Sequence, residues 1–304
     1  MYVTQPIVNI NGTIHTSSSE AKISVFDRGL LFGDSAYEVT LAYDGVVLLL
    51  EQHLDRLWRS LAGLYIEPSF SKQLLADEII RSVHLKSSAQ SYVRIMVTRG
   101  EANKMGLDPD FSGPTNFIII VLEHHPHPQE WYDDGVKLAF AKGVIRNDQR
   151  ALDPKIKTGN YLNNFMAYMS GKEQKAYETI LLNSEGVVSE CSTSNIWMVR
   201  TKNSDPQQVV VQTPPVSAGI LEGITRDCVL QVAQQANIEV VQEIFYPVDL
   251  LNAQECFITS ATRMIIPVSS IGDHPIGSGR PGVVTLKLLA LYKNFVENYI
   301  KVNQ

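Results

Sequence analysis

Apolar residues along the first part of the chain alternate between strand-like and helix-like spacing. Val46–Leu50 is a short apolar run typical of a strand. The apolar residues that follow recur at helical spacing: Leu54, Leu57, Trp58, Leu61 and Leu64. The pattern then predicts a helix over about Lys72–His84 and strands over Ser91–Thr98 and Asn116–Leu122. This succession indicates an α+β arrangement.

In the second part of the chain, predicted strands and helices are interleaved. Val136, Leu138 and Phe140 alternate with other residues and predict a strand over Val136–Ala141. Further strands are predicted at Thr179–Leu182, Asn195–Val199, Glu239–Val241 and Glu255–Thr259. Helices are predicted at Tyr161–Lys175 and Thr225–Ala236, and a terminal helix carries a stripe of Val284, Leu288, Leu291, Phe295 and Tyr299. Interleaving of this kind favours an α/β arrangement.

A segment rich in proline and histidine separates the two parts. The stretch EHHPHPQEWYDDG at 123–135 should be extended and non-helical, because proline restricts its own φ and the residue before it. We therefore predict a small α+β domain over 1–123, a linker over 124–134 and a larger domain over 135–304. A long loop inside a single domain is the alternative.

Composition narrows the class of protein. The chain has 304 residues, of which 44% are apolar and 19% charged, as is typical of a globular protein. A net charge of −6 argues against general binding to nucleic acid or to an anionic membrane. Three widely spaced cysteines support neither a disulfide framework nor a thiolate zinc site. With no signal peptide and no apolar run of membrane-spanning length, a cytoplasmic location is expected.

Two lysines in DPKIKTGNYLNNF are candidates for nucleophilic chemistry. Pro154 and Gly159 indicate a turn in this segment, and a helix is predicted to begin just after it. A lysine in such a turn can be directed into a cleft, where an amine nucleophile needs partial desolvation or nearby positive charge. Most other lysines stand among polar neighbours. The residue pattern alone favours Lys157 only slightly over Lys155.

Two segments could bind a phosphate group. Gly223, Ile224 and Thr225 in LEGITRDCVLQVA lie where a helix begins, and the first amides of a helix favour anions. The alternative is an ordinary helix cap made by Thr225. The turn TSATR at 259–263, which contains Ala261 and Thr262, follows a predicted strand and offers further hydroxyl donors. Neither GxGxxG nor GxxxxGK[ST] is present in the sequence.

One carboxylate and one group of histidines complete the candidates. Glu190 lies among small hydroxyl residues in SEGVVSECSTSN, and hydroxyl donors can lower the pKa of a carboxylate. The alternative is a solvated glutamate at the end of a hairpin. His124, His125 and His127 could suggest metal ligands, but the intervening prolines favour a solvated linker.

These segments, in this order, resemble the fold-type IV pyridoxal-phosphate enzymes, the class IV aminotransferases. The resemblance extends from FDRGLLFGDSAYEV at 26–39, through KIKTGNYLNN, to IGSGRPGVVTLKL at 276–288. It implies a small α+β N-terminal domain and a larger C-terminal domain, with pyridoxal 5′-phosphate between them. It also implies amino acid and 2-oxo acid substrates and a homodimer with its active site near the subunit interface.

The resemblance also assigns roles to individual residues. Lys157, and not Lys155, matches the lysine that binds the cofactor covalently. Tyr161 matches the residue that hydrogen-bonds the cofactor's phenolic oxygen, and Glu190 matches the carboxylate that faces the pyridine nitrogen. The implied phosphate-binding residues are Arg56, Ile224, Thr225 and Thr262, with Gly223 and Ala261 beside them. Helical spacing by itself leaves Arg56 off the apolar stripe and in water, so its role depends on the resemblance.

Substrate choice depends on details of the first part of the chain. Tyr92 and Arg94, with the loop GEANKMGLDP, resemble the branched-chain enzymes, and D-amino acid enzymes have an arginine and a histidine in that loop instead. Strand alternation puts Tyr92 and Arg94 on one face. The implied apolar substrate contacts are Tyr37, Met105 and Leu107. DRGLLFGDSAYEV, however, looks closer to the D-amino acid enzymes.

The sequence thus predicts a ping-pong aminotransferase for hydrophobic, L-branched-chain amino acids with 2-oxoglutarate as acceptor. Within the same fold, the alternatives are a D-amino acid or (R)-amine transaminase and an aminodeoxychorismate lyase. Tyr37-Glu38-Val39 argues against the lyase, which has a threonine-rich segment there. A non-catalytic protein that binds a small molecule or an anion is the alternative from another class.

Overall fold

The computed structural model describes residues 5–202 and 205–304, which form two compact units. Among the described residues, the first unit comprises 5–126, Ile156–Asn160 and Asn298–Gln304, and the second comprises His127–Lys155, 161–202 and 205–297. The first four residues of the predicted first domain lie outside the described residues. The segment Ile156–Asn160 belongs to the first unit, although the sequence prediction placed it in the larger domain 135–304. Backbone hydrogen bonds join this segment to the sheet of the first unit.

The first unit is built on a six-stranded antiparallel sheet with the strand order β2-β1-β6-β5-β3-β4. Its strands are β1 (Ile7–Ile10), β2 (Thr13–His15), β3 (Ser35–Tyr43), β4 (Val46–Val47), β5 (Gln90–Thr98) and β6 (Asn116–Glu123). Its helices are α1 (Arg28–Phe32), α2 (Leu50–Gly63) and α3 (Lys72–Lys86).

Helices α2 and α3 pack on one face of this sheet and form the core of the first unit. From α2, Leu54, Leu57 and Leu61 are buried, which confirms the helix predicted from their spacing. Along β5, fully buried Val93, Ile95 and Val97 alternate with half-buried residues, as strand geometry requires. The opposite face of β5 therefore carries the residues that remain partly accessible.

Several parts of the first unit differ from the sequence prediction or were missed by it, among them β1, β2 and α1. The apolar run Val46–Leu50 is not one strand: β4 ends at Val47, and Leu49, with φ of 54°, turns the chain into α2. Strand β3 was not recognised because its Ser, Glu and Thr residues are as buried as its apolar ones. Local patterning does not identify a strand whose polar side chains have buried partners.

The second unit contains a nine-stranded mixed sheet with the order β12-β11-β10-β13-β14-β7-β8-β9, and β15 pairs with β14. Its strands are β7 (Val136–Phe140), β8 (Glu178–Leu182), β9 (Val188–Cys191), β10 (Asn195–Lys202), β11 (Asp205–Thr213), β12 (Val240–Gln242), β13 (Glu255–Ser260), β14 (Met264–Ile271) and β15 (His274–Pro275). Its helices are α4 (Glu130–Asp133), α5 (Leu162–Glu173), α6 (Ile224–Gln235) and α7 (Pro247–Leu251), and α8 (Val283–Asn303) follows. Parallel and antiparallel pairs occur in this one sheet.

The segment predicted to be extended contains a short helix. Helix α4 begins after Pro128, whose carbonyl accepts a hydrogen bond from the Trp131 amide at 3.1 Å. The non-helical prediction is therefore wrong for Glu130–Asp133, because both prolines precede the helix and leave its amides free to bond. In the described part of the chain, no helix combines the length and apolar character that crossing a membrane requires.

Candidate active site

The segment that carries Lys157 is held against β3 in the first unit. The Tyr37 amide donates to the Lys157 carbonyl at 3.0 Å, and the Gly159 amide donates to the Ser35 carbonyl at 2.7 Å. The Lys157 amide in turn donates to the Ser60 hydroxyl of α2 at 3.0 Å. A Cβ at position 159 would lie 2.0 Å from the Ser35 hydroxyl, so a larger residue there would require that hydroxyl to move.

The side chain of Lys157 lies beside Tyr37 and Arg94. Its Nζ is 4.6 Å from the centroid of the buried Tyr37 ring, and the Arg94 guanidinium is 4.2 Å from the same centroid. In the second unit, Lys155 is exposed and its Nζ lies 3.4 Å from the Asp153 carboxylate. The two lysines that the sequence hardly distinguished therefore have different surroundings, and Lys157 is the one grouped with other candidate residues.

Arg56 is buried in the first unit, so the expectation from helical spacing that it lies in water is wrong. Its Nε and Nη2 donate to the two carboxylate oxygens of Glu38, each at 2.7 Å. The Nδ1 of buried His53 lies 2.8 Å from Oε2 of the same carboxylate. A fully buried glutamate on the core-facing side of β3 thus holds both side chains of α2. This carboxylate fixes the guanidinium that the resemblance assigns to the cofactor phosphate.

The charges of this cluster shift the pKa values of its members. Burial would raise the pKa of Glu38, but the neighbouring Arg56 guanidinium and the His53 hydrogen bond hold that pKa far below its usual range. Burial lowers the pKa of His53, and Arg56 and Lys157 add to this effect, while Glu38 opposes it. Both shifts mean that the folded protein binds fewer protons in acid than the unfolded chain does.

Glu38→Gln is expected to lower the free energy of unfolding by about 3–5 kcal/mol, because it would leave the Arg56 charge buried without its carboxylate. Urea unfolding at pH 7 measures this loss. Asp55→Asn, on the same helix, removes an exposed pair with Lys72 and is the matched control, with an expected loss below about 1 kcal/mol. Equal losses in the two variants would contradict a structural role for the buried cluster.

The wild-type protein is also expected to lose stability in acid in two steps. The free energy of unfolding should begin to fall below about pH 6.5 as unfolded His53 takes up a proton, and fall further below about pH 4.3 through Glu38. In Glu38→Gln the second step should shrink. Unfolding titrations at several pH values provide the measurement, and an unchanged acid profile in the variant would assign the loss to other groups.

The implied substrate residues of the first unit fall into two groups. Tyr92 and Arg94 lie half-buried on the β5 face opposite the core, as alternation predicted. Met105 and Leu107 are exposed, 62% and 76%, on the loop between β5 and β6. Buried Arg28 donates to the carbonyls of three successive residues of this loop, 106–108, at 3.0–3.2 Å. Sequence reasoning missed Arg28, which holds the loop in place.

In the second unit, Glu190 is buried on β9, so the alternative of a solvated hairpin glutamate is wrong. Its Oε1 lies 2.7 Å from Nη2 of Arg146, and its Oε2 accepts from the Leu221 amide at 3.0 Å. The Asn195 amide donates to Oε2 as well, at 3.1 Å. Arg146, which sequence reasoning did not single out, is itself buried. The carboxylate is therefore held in one orientation by three donors.

Tyr161 is linked to the same group of residues. It is the residue before α5, and its hydroxyl donates to the Ser192 carbonyl at 3.1 Å. The Asn164 side-chain amide donates to the same carbonyl at 2.6 Å, and its oxygen accepts from Nη1 of Arg146 at 3.3 Å. The phenol of Tyr161 and the carboxylate of Glu190 are thus connected through Asn164 and Arg146.

The first turn of α6 is available for an anion in the second unit. Gly223 occupies the cap position, and no side chain caps this end of the helix. Thr225 is buried one residue inside the helix, so the alternative of a Thr225 cap is wrong. A Cβ at Gly223 would lie 2.0 Å from the Asn195 side-chain oxygen. The helix start is therefore packed closely beside the residue that also holds Glu190.

The turn after β13 lies next to this helix start, because Asn195 pairs with Thr259 across β10 and β13. Ala261 and Thr262 are half-buried in the turn, and His127 bonds to the Thr262 carbonyl at 3.0 Å. The Ser260 hydroxyl is buried and has no hydrogen-bond partner among the described residues. An uncapped helix start, an adjacent turn with Thr262 and a buried carboxylate together fit a phosphorylated pyridine such as pyridoxal phosphate.

In the second unit, hydrogen bonds and close packing connect Tyr161, Glu190 and the helix start at Gly223–Thr225, beside the turn with Ala261 and Thr262. In the first unit, Lys157 and Arg94 lie over the Tyr37 ring, and Tyr92 shares the outer face of β5 with Arg94. Arg56, in contrast, lies on the core-facing side of that sheet with Glu38. The described residues contain no group of three or more His, Cys, Asp or Glu side chains arranged for a metal ion. His127 contacts Thr262 and stacks on Trp131, with ring centroids 5.0 Å apart, so it is not a solvated linker residue.

Comparison with known proteins gives a consistent result. A family model described as amino-transferase class IV matches residues 35–271. A Methanocaldococcus jannaschii protein with a provisional branched-chain-amino-acid aminotransferase name is 37% identical over 94% of this chain and 95% of its own length. The D-alanine aminotransferase of Bacillus licheniformis is 34% identical over 91% of this chain and 93% of its own.

A solved structure with the same fold is the branched-chain amino acid aminotransferase of Escherichia coli. It superposes with a TM-score of 0.84 at 25% identity and covers 96% of this chain and 95% of its own. Another branched-chain amino acid aminotransferase, solved with pyridoxamine 5′-phosphate, superposes with a TM-score of 0.88 at 29% identity and covers 95% of this chain and 93% of its own. The similarity therefore extends over both units of the chain.

Proposed function

Because this chain belongs to the class IV aminotransferases, which are pyridoxal-phosphate enzymes, we propose that it transfers amino groups from L-branched-chain amino acids to 2-oxoglutarate. Family membership makes it an enzyme, which argues against a non-catalytic binding protein. The observation that carries the substrate choice is the loop after β5, which presents apolar Met105 and Leu107. We propose a ping-pong reaction, in which the first oxo acid leaves before the second oxo acid binds.

In the first unit we propose that Lys157 would hold the cofactor covalently, and that its amine, once displaced by the substrate amine, would move the proton at the substrate α-carbon. When bound, pyridoxal phosphate supplies an electron sink for the carbanion that forms there. The support is the half-buried amine beside Tyr37, held by backbone bonds to Ser60 and β3. Arg56 is the proposed phosphate ligand of this unit, with Glu38 fixing its orientation.

In the second unit we propose that Glu190 faces the pyridine nitrogen and keeps it protonated, because an opposite charge stabilises the charged form of a base. Its three donors orient the carboxylate for that contact. Tyr161 is the proposed donor to the phenolic oxygen. Gly223–Thr225 and Ala261–Thr262 are the proposed phosphate-binding segments, supported by the uncapped helix start and the unpaired Ser260 hydroxyl.

The substrate proposal depends on how charge and apolar surface are arranged in the first unit. Arg94 can form a charge-assisted hydrogen bond with a substrate carboxylate. The loop 103–108 has Asn, Lys, Met and Gly where D-amino acid enzymes have the arginine and histidine of a carboxylate trap. Apolar Met105 and Leu107 suit a branched side chain, and Arg28 holds them in place through the loop carbonyls.

Arg94→Ala is expected to slow the half-reaction with 2-oxoglutarate about 10- to 100-fold, since one charge-assisted bond to the distal carboxylate is lost. The half-reaction with L-leucine should change much less, because its side chain needs only an apolar wall. Rapid-mixing measurements with L-leucine, D-alanine, a chiral amine and 2-oxoglutarate test both statements. Arg59→Ala removes an exposed arginine of α2 and serves as the control.

A second candidate, D-amino acid transamination, has a specific observation in its favour. The motif at 26–39 looks closer to the D-amino acid enzymes, and the Bacillus licheniformis relative is named a D-alanine aminotransferase. The same substrate panel separates the two candidates. A faster wild-type half-reaction with D-alanine than with L-leucine would overturn the branched-chain proposal and support the D-amino acid function.

We also propose that the protein is a homodimer. Apolar side chains on and before α1 are exposed in the single chain, including Val25, Phe26 and Leu30, and so are Leu162 and Phe165 of α5. Burial of these side chains against a second copy would remove apolar surface from water, which is the main favourable contribution to association. Sedimentation velocity gives the mass directly, and a monomer at micromolar concentration would contradict the proposal. A cytoplasmic location stays a prediction.

A further inference from the structure

A buried carboxylate at the start of β8 has no role in the proposed chemistry. Glu178 is 1% exposed and accepts hydrogen bonds from the hydroxyls of Ser192, Thr193 and Ser194. These three residues form the turn between β9 and β10. One carboxylate therefore holds every side chain of this turn.

The same carboxylate is ion-paired with a residue of a second turn. Nη1 of Arg263, in the turn between β13 and β14, lies 3.1 Å from Glu178 Oε2. It also donates to the Thr193 hydroxyl at 2.6 Å and to the Ser194 hydroxyl at 3.1 Å. On its other side the guanidinium lies over the Tyr177 ring, 5.3 Å from the centroid. The ion pair of Glu178 and Arg263 and their hydrogen bonds thus connect the two turns.

Each of the two turns holds or contains a residue proposed above to contact the cofactor. The first turn presents the Ser192 carbonyl, which accepts the hydrogen bonds of Tyr161 and Asn164. The second contains Thr262, directly before Arg263. A shift of either turn would move the phenol of Tyr161 or the hydroxyl of Thr262.

Stability alone gives little reason to place an ion pair here. Removing two charges from water costs free energy that their attraction often only balances, and apolar residues of similar size would hold a core as well. Hydrogen bonds from a fixed carboxylate, in contrast, set the positions of several hydroxyls at once. The arrangement is therefore suited to orienting the two turns.

We propose that Glu178 and Arg263 are positioning residues that set Tyr161 and Thr262 for the cofactor. This inference depends on the proposed function, since it concerns the same cofactor-binding residues. It predicts that loss of the Glu178 charge changes both the affinity for pyridoxal phosphate and the hydrogen bond at the cofactor's phenolic oxygen. Neither residue would touch the reacting atoms.

The test compares Glu178→Gln with Glu255→Gln, a carboxylate of the same unit that caps α8 through the amides of Val284 and Thr285. Apoenzyme is titrated with pyridoxal phosphate, and the dissociation constant and the absorption spectrum of the bound cofactor are recorded. Glu178→Gln should weaken binding about 10- to 100-fold and shift the absorption maximum. Glu255→Gln should leave both at the wild-type values, although it lowers the melting temperature.

A double variant distinguishes positioning from general loosening. Tyr161→Phe should shift the absorption maximum in the same direction as Glu178→Gln, and the double variant should show no additional shift, because both act on one hydrogen bond. Thr193→Val removes one donor from the same carboxylate without leaving a charge unpaired, and it should produce a smaller shift of the same sign. If Glu178→Gln does not fold, Thr193→Val is measured in its place.

The outcomes separate this inference from the proposed function. If wild-type protein binds no pyridoxal phosphate, both the proposed function and the positioning role are contradicted. If wild type binds the cofactor but Glu178→Gln and Thr193→Val match Glu255→Gln in affinity and spectrum, the positioning role is overturned and the function stands. Additive spectral shifts in the double variant would also overturn it.

Discussion

Replacing Lys157 with alanine is expected to abolish amino transfer, with a loss of about 10⁴-fold or more, because the proposed covalent anchor and the group that moves the α-carbon proton are one amine. The half-reaction of cofactor-loaded protein with L-leucine measures the loss. Pyridoxal phosphate should still bind, through the phosphate-binding segments of the second unit. The variant should fold normally, since only the backbone of Lys157 bonds to Ser60 and β3.

Lys155→Ala is the matched control for this experiment. It removes an amine two residues away that lies exposed beside Asp153, so activity should stay within about twofold of wild type, as for other surface substitutions. Borohydride reduction of wild type, followed by digestion and mass spectrometry, should find the pyridoxyl adduct on Lys157. An adduct on Lys155, or loss of activity only in the Lys155 variant, would contradict the assignment.

Glu190→Gln is expected to have the second largest effect. The variant should still bind pyridoxal phosphate, but the single-turnover rate should fall about 10²–10³-fold, because the amide no longer stabilises a protonated pyridine by charge. The buried Arg146 would lose its carboxylate, so the free energy of unfolding should also fall by about 3–5 kcal/mol. Rapid mixing and urea unfolding measure the two effects separately.

The double variant Glu190→Gln with Arg146→Met separates chemistry from stability. An apolar side chain of similar length removes the unpaired charge, so much of the lost stability should return. The reaction rate should stay low, because the carboxylate is still absent. Recovery of the rate together with stability would mean that Glu190 acts only as a structural partner of Arg146.

Local features of the sequence predicted part of the regular structure, although strand β3 and helix α4 were not among the predicted elements. The leucine spacing of α2 and the alternation along β5 predicted both elements, because one face of each packs against an apolar core. Pro154 and Gly159 indicated a turn around Lys157, but the residue pattern alone did not distinguish Lys157 from Lys155. The resemblance to class IV aminotransferases made that choice, and family membership confirmed the class of enzyme.

The buried charges could be assigned only from the tertiary structure. Arg56 and Glu38 are 18 residues apart, and Arg28 holds a loop carbonyl 79 residues away. A charged side chain is buried only when the fold places an opposite charge or a set of carbonyls beside it. Because such partners are distant along the chain, they produce no periodic pattern in the sequence. The sequence by itself determined several of the helices and strands and, through the resemblance, the class of enzyme that they build. Tertiary structure decided which charged residues are buried and what they hold, because that depends on pairings that only chain folding makes.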